Sequence, residues 1–346
     1  MPVIWLIDAY RAGESSQLRA LLQALDWPCE IRQLNYRKYN IITHLLPMGS
    51  VAGIDRASAE SLHPPWPDLV ISCGVRNEPV CRWIREASGG RTRYVHVGRI
   101  WAAPSRFDLV ITTPQYRVPS AANVIRNDLT LHQVTPQRLQ EGSSEWAPRW
   151  LNLPRPFTAV IVGGDSGPFT LGAKAAARLG REASEVALKS GGSLLVSTSS
   201  RTSKEASLAL QNALDAPHYY YAWSPDRDAN PYWGMLGVAD NFIVTADSIA
   251  MLSETCATGK PVSMFDLGGM RKGYEVERDF RLGGTLFGAL IRWGWQPLSR
   301  DITLVHEKLV AHGRAAWLGE TPLPLQTDEA GTDMDRALKA VKNLFA

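Results

Sequence analysis

Short apolar runs rich in valine and isoleucine recur through this chain, each ending in a turn signal and followed by a stretch with helical spacing. Strands buried on both faces need such unbroken apolar runs, and strands that alternate with helices build parallel βαβ units. The alternation comes in two series. The first has strands at residues 3–9, 29–34, 68–72, 92–97 and 107–112, and the second at 158–162, 193–197, 218–223, 241–245 and 261–265. Leu18, Leu21, Leu22 and Leu25 give one intervening helix its apolar stripe, and Val80, Trp83, Ile84 and Ala87 give another. In the second series helices are expected near 170–189, 203–213 and 247–258, with a further one over about 270–292.

The expected architecture is therefore α/β, with two doubly wound Rossmann-like parallel-sheet domains facing a cleft. Residues 1–134 form the first domain and 158–332 the second, and a terminal helix at 333–346 packs back on the first. Between them, residues 135–157 carry Pro136, Pro148, Pro154 and Pro156 and show little periodicity, which reads as a linker. A length of 346 residues suits two cores, and 21% charged residues set it apart from disordered chains.

The formal charge of +3 is too small to argue for nucleic acid as a partner. The slight basic excess lies in residues 1–150, a hint of an anionic surface or substrate there. Cys29, Cys73, Cys81 and Cys256 show no CxxC spacing, so reduced thiols and no structural metal are expected. No signal peptide or membrane span is evident, so the expected place is the cytoplasm, with peripheral contact at the inner face of the plasma membrane.

The most informative segment runs from Ala239 to Pro261. A strand ends at Thr245, and Asp247 or Ser248 can cap a helix whose N-terminus offers an anion site for a diphosphate. Ser253 and Glu254 follow, and a carboxylate there can accept hydrogen bonds from ribose hydroxyls; a plain capped helix with a solvated Glu is the other reading. Gly163 and Gly164 sit in a glycine loop that lets the backbone approach a phosphate or sugar, or that only relieves crowding. Ser199, Arg201 and Thr202 follow the next strand with hydroxyls and one guanidinium suited to phosphate. Asn230 and Tyr232 enter a helix and line the cleft or make a turn, and the tyrosines at 219–221 stack a base or fill the core.

In the first half, the Asp8–Glu14 segment joins the first strand to its helix. Asp8 or Glu14 is the candidate general base, with Glu14 also readable as a helix-dipole carboxylate. Arg11, Gly13, Arg76 and Arg99 are the acceptor-side candidates, whereas His96, alone in an apolar strand, reads as a core residue. No ordered Ser-His-Asp set is present, and the glycine loop lacks the Lys-Ser/Thr pair of a P-loop and a full GxGxxG.

At these residues the chain resembles a known family. NPYWGMLGVADNFIVTADSIAMLSETCATGKPV, with FTAVIVGGDSG, STSSRTS, HVGRI and RFDLVITTPQY, is similar to the bacterial branch of the elongated-mitochondria-type mitochondrial fission protein family. The second half also resembles GT-B glycosyltransferases in layout, which implies a GT-B-like fold and donor contacts at Gly163, Gly164, Ser199, Arg201, Thr245, Ser248 and Glu254. The expected function is a metal-independent glycosyltransferase moving a sugar from a nucleotide-diphosphate donor to a cell-envelope or membrane-associated, anionic or lipid-linked acceptor. The nucleotide sugar is a co-substrate and no cofactor is expected. The rivals are a non-catalytic, fission-type partner-recruiting protein on the same fold and a non-hydrolysing sugar-nucleotide epimerase.

Overall fold

Within each apolar run alternate residues point to opposite faces of a sheet, so a run with no polar break needs cover on both sides. The computed structural model, which describes residues 1–346 other than 47, 226–228, 272, 294–298, 322 and 324–330, shows this layering in two units, Met1–Gln133 with Asp328–Ala346, and Val134–Thr327.

The first unit contains β1 (Ile4–Ile7), α1 (Ala12–Leu25), β2 (Cys29–Arg32), α2 (Arg56–Glu60), β3 (Leu69–Cys73), α3 (Glu78–Ala87), β4 (Arg93–Val97), β5 (Leu109–Thr112) and β6 (Val124–Arg126). The second contains α4 (Pro136–Trp146), β7 (Phe157–Ile161), α5 (Ala173–Ser190), β8 (Ser193–Ser197), α6 (Lys204–Asn212), β9 (His218–Tyr221), α7 (Tyr232–Val238), β10 (Asn241–Thr245), α8 (Ile249–Cys256), β11 (Val262–Phe265), α9 (Leu282–Trp293), α10 (Thr303–Ala311) and β12 (Ala316–Trp317). The chain then returns to the first unit as α11 (Asp333–Asn343).

The first sheet has the order β2-β1-β3-β4-β5-β6 and the second β12-β11-β10-β7-β8-β9, with all pairings parallel. Ile4 and Leu6 of β1 enter one apolar cluster with Leu18 and Leu21 of α1 and Ala337 and Val341 of α11, while Trp5 and Ile7 enter the opposite cluster with Val80 and Ile84 of α3. Burying each such side chain contributes about 1.5–3 kcal/mol, so both covering layers are needed.

Each sheet reverses direction once. The chain steps from β1 outward to β2 and returns on the other side at β3; it steps from β7 to β8 and β9 and returns at β10. In doubly wound sheets ligands bind outside the strand carboxyl ends at this reversal. Ile7 pairs with Ser72, and Val244 with Ile161, so in each unit two loops leave the sheet side by side.

Several segments depart from the sequence reading. Residues 135–157 are not a plain linker. Thr135 Oγ1 accepts from Arg138 N at 3.2 Å, Pro136 stands in the first turn of α4, where it costs no hydrogen bond, and a Cβ on Gly142 would lie 2.6 Å from the Trp233 backbone, so the glycine lets α4 press on α7. The helix expected over 270–292 starts only at Leu282; Asp279, just before it, accepts from Gly172, Lys174 and Ala175 amides and caps α5 instead. β6 and β12, of three and two residues, were too short for periodicity to show. The thiols of Cys81 and Cys256 are pushed up to about 12 by burial, which keeps them protonated.

Helix α11 is tied down by Asp333, whose carboxylate accepts from the amides of Asp128 at 3.1 Å and Leu129 at 3.0 Å. Asp333→Ala leaves both buried amides without that partner and should cost about 1–3 kcal/mol, read as a lower denaturant midpoint for the first unit's transition. An unchanged midpoint would show that the apolar contacts of Ala337 and Val341 hold α11 alone.

Candidate functional site

At the reversal of the second sheet, Thr245 ends β10 and its Oγ1 accepts from Gly163 N at 2.7 Å, which draws the loop after β7 against the loop after β10. Gly164 N donates to Asp247 Oδ2 at 3.0 Å, and Arg201 Nη1 meets the same oxygen at 2.7 Å. The Asp247 side chain is 0% exposed and that of Arg201 38%, so a buried carboxylate fixes one edge of the guanidinium and leaves the rest in reach of a ligand. Arg201 Nη1 also donates to the Asp165 carbonyl at 3.2 Å. Ser199 Oγ, at 2.9 Å, and Thr202 Oγ1, at 2.5 Å, donate to the Gly163 carbonyl, so these hydroxyls shape the loop.

Of the two purposes read for the glycines in the sequence, the structure shows the relief of crowding. Neither Gly163 nor Gly164 has a positive φ. A Cβ on Gly163 would stand 2.3 Å from Asp247 Oδ2, and one on Gly164 would stand 2.1 Å from the Arg201 carbonyl. They are small so that Asp247 and Arg201 can close over them.

Ser248 is the residue before α8 and its side chain makes no capping bond, so the first turn of α8 keeps uncapped amides beside Arg201's ion-pair partner. Ser253 faces its own helix, donating to the Ile249 carbonyl at 2.7 Å. Glu254 accepts a short hydrogen bond from the Tyr232 hydroxyl, and burial raises its pKa against the opposing pull of that bond and of Arg138. The Arg138 guanidinium stands 3.8 Å over the Trp233 ring. Asn230 is exposed and its Oδ1 accepts from Tyr232 N at 3.0 Å. Of the tyrosines of β9, Tyr220 bonds Ser207 and Tyr219 meets the Trp150 ring edge-on at 5.6 Å, so both serve packing within the unit.

Sequence reasoning missed His306. Its Nε2 lies 2.6 Å from the Ala246 carbonyl, a bond that places the ring proton on Nε2 and fixes the backbone one residue before Asp247; burial lowers its pKa to about 4. Nothing in the spacing of a lone histidine on α10 signals this.

The first unit has a corresponding crossing. Asp8 Oδ1 accepts from Ser15 Oγ at 2.6 Å and Ala9 N at 2.9 Å, and Oδ2 pairs with Arg19 at 2.9 Å. Glu14 lies over Gly74, where φ is +81° and a Cβ would stand 2.7 Å from Oε2; its other oxygen is 4.0 Å from Arg11. Arg76 stacks over Tyr10 at 4.6 Å, while nothing lies within 4 Å of a Cβ on Gly13. Asn77, also missed, is buried with Nδ2 3.0–3.2 Å from the carbonyls of Ile7, Asp8 and Cys73, and so joins the ends of β1 and β3. His96 is a core residue bonded to Tyr94 Oη at 2.8 Å and to the carbonyl of Arg99 at 2.9 Å, and burial lowers its pKa to about 4. Among the described residues no group of three or more His, Cys, Asp or Glu side chains is placed to hold a metal ion, and no helix is long and apolar enough to cross a membrane.

Comparison with known proteins adds three findings. The model of the family described as Mitochondrial fission ELM1 matches residues 12–279. The Mitochondrial fission protein ELM1 of Arabidopsis thaliana is 28% identical over 234 residues, 61% of this chain and 54% of that protein, and an uncharacterized protein of Rickettsia prowazekii is 34% identical over 152 residues, 44% of this chain and 42% of that one. The chain thus spans about half the length of the curated relatives it matches. A solved structure of a variant of Os79 from O. sativa in complex with UDP aligns with a TM-score of 0.50 over 100% of both chains at 10% identity, a likeness of fold, and the two parallel-sheet units have the GT-B-like class.

The Tyr232–Glu254 pair is open to a pH test. An acid whose pKa is raised on folding holds more protons folded than unfolded, so its contribution falls as pH climbs from the ordinary carboxylate range through the raised value. Melting temperature followed against pH should show this fall in the wild type and lose it in Glu254→Gln. Parallel curves for the two proteins would mean that Glu254 ionises as freely folded as unfolded.

Proposed function

We propose, for a chain that belongs to the Mitochondrial fission ELM1 family, that the second unit binds a nucleoside-diphosphate sugar and that the protein transfers the sugar to a membrane-associated or cell-envelope acceptor. The observation that carries this reading is the pairing, at one strand-order reversal, of a guanidinium fixed by a buried carboxylate with the uncapped first turn of a helix. Both present positive charge where a diphosphate would lie. UDP is bound in the Os79 structure whose fold this chain shares, which supports the same class of ligand here.

In the proposed reaction an acceptor oxygen attacks the anomeric carbon, and the bond from that carbon to the diphosphate breaks. The negative charge on the departing nucleoside diphosphate falls to Arg201 and the α8 amides, with Asp247 positioning Arg201. Glu254 is assigned to accept from the ribose hydroxyls, its Oε2 already holding Tyr232. The acceptor oxygen gives up its proton to a general base as the new bond forms, and Asp8 and Glu14 are the carboxylates proposed for that role. Both oxygens of Asp8 already serve Ser15, Ala9 and Arg19, and Glu14 lies near Arg11. Arg11, Arg76 and Arg99 are assigned to an anionic acceptor, and a Cβ on Gly13 would meet open space.

A second reading, a partner-recruiting protein without catalysis, draws on the fission protein among the relatives and on one structural fact. The chain's own carboxylates stand at both helix starts near the glycine loop: Asp247 holds Arg201, and Asp279 caps α5. Calorimetric titration with UDP, GDP, CMP and ADP and their sugars separates the two. The transferase reading expects binding to one of them, weakened about 10- to 100-fold by Arg201→Ala or Glu254→Ala, the loss of a charge-assisted hydrogen bond worth about 1–3 kcal/mol. Wild-type protein that binds none at millimolar concentration leaves the recruiting role.

A further inference from the structure

Helix α9 is apolar on two sides. Its inner side lies on the loop after β7: a Cβ on Gly284 would stand 2.9 Å from the Pro168 carbonyl, and Phe287 stands 3.6 Å from the corresponding point on Gly167. Its outer side presents Leu282 at 68% exposure, Leu286 at 62%, Leu290 at 38% and Trp293 at 76%, preceded by Phe280 at 80%. At about 100° per residue the four helical positions fall within one quarter of the circumference. A run of large exposed apolar side chains costs solubility unless something covers it.

We propose that this outer face of α9 is a membrane-docking surface, lying flat on an anionic lipid layer. The charges around the stripe favour a lipid surface. Over Leu282–Trp293 the charged residue is Arg292, stacked 5.0 Å over Trp293, so the far end of the helix carries a tryptophan and a cation, the pairing suited to a headgroup boundary. At the near end Arg278 is exposed. Of the acids there, Asp279 is turned to the α5 amides and Glu277 is held by Lys174, which leaves Glu275 against Arg278 and Arg292. The helix's 12 residues extend about 18 Å, well short of the roughly 30 Å of a bilayer core, so it lies along the surface. Five such side chains cover on the order of 600 Å², less than the ~800 Å² per partner of a stable protein interface, so a second copy is the weaker occupant.

The inference rests on the membrane-associated acceptor of the proposed function and gives it a location. With α9 on the lipid, the loop carrying Gly163 and Gly164 lies about one helix diameter, some 10 Å, from the surface. The contact itself is tested apart from nucleotide binding, using co-sedimentation of the full chain with phosphatidylcholine vesicles containing phosphatidylglycerol and with phosphatidylcholine alone. The wild type should sediment with the anionic vesicles, less so at high salt. Leu286→Glu should weaken this about tenfold or more by removing apolar insertion and adding repulsion, and Arg292→Glu should weaken it while flattening the salt dependence. Both positions are exposed, so unchanged melting temperatures confirm that folding is intact. Absence of sedimentation, equal binding by Leu286→Glu, or a wild-type dimer in solution that Leu286→Glu converts to monomer overturns the proposal. Nucleotide titration of the same samples is unaffected by any of these outcomes, so the failure of docking and the failure of the transferase reading are read separately.

Discussion

The buried Asp247 carboxylate organises the second unit's strand-order reversal. One of its oxygens takes the Gly164 amide and the Arg201 guanidinium together. A carboxylate removed from water is costly unless it is paired and hydrogen-bonded; groups from two other loops meet both conditions at Oδ2, while Oδ1 is buried with no hydrogen-bond partner. The same pairing gives Arg201 a fixed direction and forces residues 163 and 164 to be glycine. His306 fixes the backbone just before it. Removing Asp247 therefore frees a cation and a loop at once.

Much of the fold was legible because Val- and Ile-rich runs such as Val70–Ser72 and Ala159–Val162 leave little choice of environment. The strand-end loops that carry Arg201, Asp247 and Glu254 could likewise be found from the positions of those runs. What the loops do was less legible, since a glycine pair reads the same whether it makes room for a phosphate or for its own chain's aspartate. Contacts such as that between Asp279 and α5, more than a hundred residues apart, leave no local trace, and the helical pattern expected to begin near residue 270 hid the loop that makes them. Asn77 and His306 went unseen for a related reason: their value lies in the carbonyls they meet.

The two reversals are built on different solutions to the same need. In the first unit a neutral amide, Asn77, gathers three carbonyls, and the charges of Asp8 and Arg19 stay near the surface. In the second unit an ion pair does the gathering. Neutral groups lose little when the medium changes, whereas a buried charge feels every ligand that alters its surroundings. The second unit thus keeps a charged pair at its reversal where the first keeps a neutral amide.

Helix α11 sets an order of events in the making of the protein. It supplies Ala337 and Val341 to a core whose other members lie mainly between Ile4 and Leu131. During synthesis those earlier residues emerge first, yet the layer that covers them is about two hundred residues away. Meanwhile Val134–Thr327, continuous in the chain, has all its own parts before α11 exists. The second unit can mature while the nascent first unit still shows a bare apolar strip between α1 and the sheet, a strip open to chaperones and to misplaced contacts until the last helix arrives.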